Sequence, residues 1–97
     1  MDQHEHTLYR ERGVDRGLVT VTLTTHRLTV SLLGFVFFSA RRDQITQVMV
    51  TKGILTSDVF VGYFDASDIY RHTTWSTRNA AAWKQAFGVS ALPWSEQ

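Results

Sequence analysis

The chain has 97 residues, a formal net charge of +1 and no cysteine, so it makes one small domain around a single core and excludes disulfides, thiol nucleophiles and thiolate metal sites together. So slight a charge does not by itself recruit nucleic acid or an anionic lipid surface; the placement of the basic residues matters more than their sum. Eight of the ten basic residues are Arg, a bias toward bidentate contact with phosphate or carboxylate. The start Met1-Asp2-Gln3-His4-Glu5-His6 is polar and acidic, the reverse of a secretory signal, and suggests an intracellular chain whose residues 1–6 are disordered. The most apolar window, 28–38, is interrupted by Thr29, Ser31 and Gly34 and falls far short of the roughly 20 residues a spanning helix needs.

In chain order, residues 7–12 read as a first strand, with Gly13 and Asp15-Arg16-Gly17 marking a turn. Leu18-Val19-Thr20-Val21-Thr22-Leu23-Thr24 alternates apolar and hydroxylated residues with period two, as a half-buried strand does, and the rhythm resumes at Leu28-Thr29-Val30-Ser31-Leu32 to give an antiparallel hairpin. Gly34 permits a sharp reversal into a strand over 35–40. The polar break at 41–44 precedes another strand at 45–50. Residues 51–58 form a loop carrying an apolar Ile54-Leu55 pair, which suits either a core plug or a contact surface. Strands follow over 59–64 and 69–75, joined by a tight turn at Asp65-Ala66-Ser67-Asp68.

At Ser76-Thr77 the pattern changes, and either residue suits a helix N-cap. Residues 78–87 are strong helix formers ending at Gly88, so a helix is expected over about 76–87, with Ala80, Trp83 and Phe87 on one face turned to the core. The tail 89–97 cannot continue it through Pro93, yet Leu92 and Trp94 are too apolar for a free tail.

Up to seven strands followed by one helix resembles the pleckstrin-homology (PH) superfold, a bent antiparallel sandwich or partly open barrel capped by a C-terminal helix. The segment Leu23-Thr24-Thr25-His26-Arg27-Leu28 is similar to the Leu-Thr-x-x-Arg-Leu hairpin of GRAM, GLUE and bacterial PH-like domains. Asp43-Gln44-Ile45-Thr46-Gln47-Val48 matches their Asp-x-Ile-x-x-Val segment, and Gly53-Ile54-Leu55-Thr56 resembles a loop in the GLUE domain of the ESCRT-II endosomal sorting complex. The resemblance implies a cytoplasmic, non-enzymatic binding module of membrane trafficking, peripheral on membranes, that meets anionic lipid headgroups such as phosphoinositides or a protein partner. Asp58 stands where the GLUE pattern wants a cation, which leaves Arg41, Arg42, Lys52 and Arg71 as the candidate lipid-binding residues. Ile54 and Leu55, with Leu92 and Trp94, suit protein contact. Arg27 is expected to stabilise its turn, with ligand contact the alternative, and Asp43 to cap one.

Other chemistries find little purchase. There is no Gly-x-Ser-x-Gly and no glycine-rich phosphate loop before a helix, and His72 lies in a strand without a recognisable partner, so the expectation is no enzyme and no cofactor. His4-x-His6 lacks further metal ligands, and Asp65 with Asp68 lacks the rest of a Ca²⁺ loop. Stacking of single-stranded nucleic acid on Tyr9, Tyr63, Tyr70 or Trp75 is the remaining, less favoured class.

Overall fold

The computed structural model describes residues 4–13 and 18–96. The turn expected at Asp15-Arg16-Gly17 lies outside them, as do residues 1–3 of the expected disordered start. Among the described residues eight strands form: β1 (Thr7–Gly13), β2 (Val19–Thr24), β3 (Arg27–Leu32), β4 (Phe35–Arg41), β5 (Ile45–Lys52), β6 (Ser57–Phe64), β7 (Tyr70–Thr77) and, after the helix α1 (Ala80–Val89), β8 (Trp94–Glu96). They build two four-stranded sheets, ordered β1-β2-β3-β4 and β7-β6-β5-β8. The molecule is a sandwich with a C-terminal helix, not a closed barrel.

The alternation in β2 and β3 acts as read. Val19, Val21, Leu23, Leu28 and Val30 are buried, while Thr20, Thr22, Thr29 and Ser31 sit half-buried on the outer face. Register places Val21 opposite Val30 and Leu23 opposite Leu28, so the apolar pairs stack on one side of the sheet. Leu32 pairs with Phe35, which leaves a two-residue turn of Leu33 (φ 52°) and Gly34 (φ 87°). Positive φ at both central residues is the requirement of a type I′ turn, whose twist matches the strands it joins.

Residues 4–6 are not loose. Glu5 accepts hydrogen bonds from the Thr24 hydroxyl and from Arg27 Nε, the latter at 3.1 Å, and the His6 carbonyl accepts from the Thr25 N–H at 2.9 Å. The Thr24 hydroxyl and the Arg27 guanidinium hold the Glu5 carboxyl below its ordinary pKa. Arg27 therefore braces its turn through Glu5.

The helix begins later than the sequence suggests. Ser76 and Thr77 finish β7, paired with Asp58 and Ser57, and the Thr77 hydroxyl accepts from the Asn79 N–H at 2.8 Å. Gly88, the expected terminator, lies inside α1. Termination falls to Ala91, which takes φ 57°. The Leu92 N–H donates to the Phe87 carbonyl at 3.1 Å and the Ala91 N–H to that of Gly88 at 3.0 Å, the bonding of a Schellman motif. Leu92 packs against the core, so the apolar contact that accompanies this motif sets the stop rather than the glycine.

Trp83 and Phe87 are fully buried. Trp83 meets Tyr9 and Trp75 edge-on, at centroid distances of 4.8 and 5.2 Å, and Phe87 at 5.8 Å. An aromatic cluster from two strands and the helix thus fills the space between the sheets. Beyond Pro93 the chain adds β8 parallel to β5, with Trp94 opposite Val48 and beside Phe87, and this eighth strand is the structural reason the tail is apolar. Among the described residues, no helix is long and apolar enough to cross a membrane.

Candidate ligand-binding surfaces

Arg41 and Arg42 lie where β4 turns into β5, beside the β2–β3 turn and the end of α1. A cleft of about 550 Å³ opens there, lined by Thr25, His26, Arg27, Arg41 and Arg42 and floored by Ile45 and Leu92. Its cations are engaged. Arg41 Nε lies 3.2 Å from Asp43 Oδ1, and Arg27 is held by Glu5. Arg42 Nε donates to the Ser90 carbonyl at 2.5 Å, so its positive charge sits on the negative end of the helix dipole and satisfies one of the last free carbonyls. Asp43 serves Arg41, while Gln44 closes the turn by accepting from the Arg41 N–H at 2.8 Å.

The other two nominated cations do not join them as a set. Arg71 pairs with Tyr63 in register and forms an ion pair with Asp65. The Asp65 carboxyl is held below its usual pKa, first by the Arg71 hydrogen bond and then by the Ile69 N–H. Lys52 is at the opposite end of β5 from Ile45, roughly 23 Å away at the rise of an extended strand, and faces Glu96 at 3.8 Å. Four cations around one phosphate are not assembled by this fold.

Ile54 and Leu55 stand at the tip of the β5–β6 loop. The Gly53 N–H donates to the Thr56 carbonyl at 2.8 Å, closing a tight loop whose tip carries Ile54 fully exposed and Leu55 81% exposed. They form no part of the core. Leu92 and Trp94, by contrast, are half-buried and pack inward.

A second apolar tip escaped the sequence reading. At the β3–β4 turn Leu33 is 70% and Phe35 79% exposed, with Leu32, Val36 and Leu18 exposed beside them. The Leu33 N–H donates to the Leu18 carbonyl at 3.3 Å, which ties the patch together. The available signal was the run Leu32-Leu33-Gly34-Phe35-Val36: with only two residues in the turn, apolar side chains on both sides of it cannot all point inward.

On the outer face of the first sheet, Arg10 and Arg12 line a hollow of about 260 Å³ with Thr20, Thr22, Ser31 and Gly34. Arg10 Nε donates to Thr22 Oγ1 at 3.1 Å. Neither arginine has a carboxylate partner among the described residues. No family model matches this chain, and neither the curated proteins nor the solved structures yield a match.

Proposed function

We propose that this chain is a non-enzymatic interaction module of PH-like type that binds a membrane surface through its lipid headgroups. One observation carries the reading: the four most exposed large apolar side chains among the described residues stand at two turns, Ile54 and Leu55 at one and Leu33 and Phe35 at the other. Single exposed apolar residues are ordinary on a protein surface, whereas apolar groups concentrated at turn tips mark contact sites. The order of seven meandering strands and a helix, and the Leu-Thr-x-x-Arg-Leu hairpin, support the PH-like assignment.

A protein partner is the second reading, favoured at the loop 53–56. Lys52 is already paired with Glu96 and Asp58 accepts from the Ser76 hydroxyl, so the charged residues that flank the Ile54-Leu55 tip in the chain are both engaged. Co-sedimentation with vesicles of different headgroups, run beside a pull-down, tests both. Binding to anionic vesicles supports the first reading; capture of a partner lost on Ile54→Ser/Leu55→Ser replacement supports the second. A protein that does neither is not an interaction module.

A further inference from the structure

We infer that the outer face of the first sheet and the β3–β4 turn form one docking site for an anionic membrane, with Arg10 and Arg12 receiving lipid phosphate while Leu33 and Phe35 enter the apolar layer. This rests on the module reading above and names the surface and the lipid class. It moves the site away from Arg41, Arg42, Lys52 and Arg71.

The cations supply the first argument. Arg27, Arg41, Lys52, Arg71 and Lys84 each face a carboxylate, and Arg42 is held by the Ser90 carbonyl. Arg10, Arg12 and Arg78 make no such pair among the described residues, and of these Arg10 and Arg12 share a hollow whose other polar groups are hydroxyls, with no carboxylate in its lining. Guanidinium donors beside hydroxyl donors suit a phosphate ester, and the Arg10–Thr22 bond lays one guanidinium on the sheet with further N–H groups to spare. The period-two alternation is the cause: Tyr9 and Glu11 turn inward to Trp83, so Arg10 and Arg12 turn outward over Thr20 and Thr22.

The turn supplies the second argument. Gly34 lines the hollow, and its two neighbours are the exposed Leu33 and Phe35. Leu33 occupies the left-handed region (φ 52°), which crowds the Cβ of any L-residue against the backbone, yet its side chain gains little burial in return. Folding alone favours Asn at this position of a type I′ turn. A residue strained in its backbone and exposed in its side chain points to a role outside folding.

Together these features match the layering of a bilayer surface, where phosphate and hydrocarbon lie within a side chain's length of each other. A projecting apolar turn beside guanidinium groups that no described carboxylate pairs complements an anionic interface.

The test uses vesicles of phosphatidylcholine with and without phosphatidylserine, with binding measured by co-sedimentation. Wild type is expected to bind only the anionic vesicles, less tightly as salt rises. Arg10→Ala/Arg12→Ala should weaken binding about thirtyfold with the melting temperature unchanged. Leu33→Asn should weaken binding while raising the melting temperature, which separates a lost contact from a lost fold. Arg41→Ala should bind as wild type does. Wild-type indifference to phosphatidylserine vesicles overturns the site, as does undiminished binding by either the arginine or the Leu33 variant. If wild type binds anionic vesicles and these variants do so equally well, the site fails while the module reading stands.

Discussion

The indole N–H of Trp83 donates to Oε1 of Glu11 at 2.7 Å, and the Thr77 hydroxyl donates to the same oxygen at the same distance. One carboxylate oxygen on β1 therefore joins the helix and β7, the edge strand of the other sheet. Replacing Glu11 by Ala strands two buried donors and should cost about 3 kcal/mol in urea denaturation. Glu11→Gln keeps an acceptor and should cost about 1 kcal/mol. Equal stability of Glu11→Ala and wild type would remove this junction from the account.

The two core tryptophans should respond differently to Phe. Trp75 Nε1 is buried without a hydrogen-bond partner among the described residues, so Trp75→Phe removes an unpaired donor that offsets part of the lost volume. Trp83→Phe removes a made bond as well as volume. The second variant should be the less stable by about 1–2 kcal/mol, as chemical denaturation of the pair will show.

Arg42 and Arg41 are neighbours with different duties. Arg42→Ala removes a cation and a donor from the end of α1 and should lower stability by about 1 kcal/mol. The Arg41–Asp43 pair is largely exposed, so Arg41→Ala should stay within about 0.5 kcal/mol of wild type. Thermal melts of the two single variants decide it, and identical melts would show that the Arg42–Ser90 bond contributes nothing.

Asp65 anchors the β6–β7 turn by accepting from the N–H groups of Ser67 and Ile69, at 2.8 and 3.0 Å, and from Arg71. Its folded pKa is lowered, so its contribution to stability is fully present above the unfolded value of about 3.9 and is lost as the pH falls through the lower folded value. Carboxyl titration by NMR should find Asp65 ionising below the ordinary Asp range, and Arg71→Ala should raise that value. An unshifted Asp65 would dissolve the link between this turn and acid sensitivity.

The fold was largely legible because its signals are local. Period-two alternation over 18–32 forces Val19, Val21, Leu23, Leu28 and Val30 to one side of a strand pair, whatever else the chain does. Trp83 and Phe87 share a helix face by spacing alone, and Asp65-Ala66-Ser67-Asp68 carries its turn in its own side-chain bonds. The helix ends were less legible: Thr77 is held by Glu11, 66 residues away, and Leu92 by packing, and both outweigh the local capping preferences of Ser76 and Gly88.

The sequence alone determined that there are ten basic residues, mostly arginine and several of them near strand ends or turns, and that Ile54 and Leu55 stand in a loop. Which cations stay unpaired was decided by tertiary structure. Arg42 meets Ser90 across 48 positions, Arg27 meets Glu5 across 22, and Lys52 and Arg71 part company because antiparallel register puts them at opposite ends of one sheet. An ion pair forms only within a few ångströms, whereas neighbours along a strand differ by about 3.3 Å per residue. Pairing is therefore a property of how the sheets and helix close on one another, and that closure leaves Arg10 and Arg12 without a carboxylate among the described residues, beside an apolar turn.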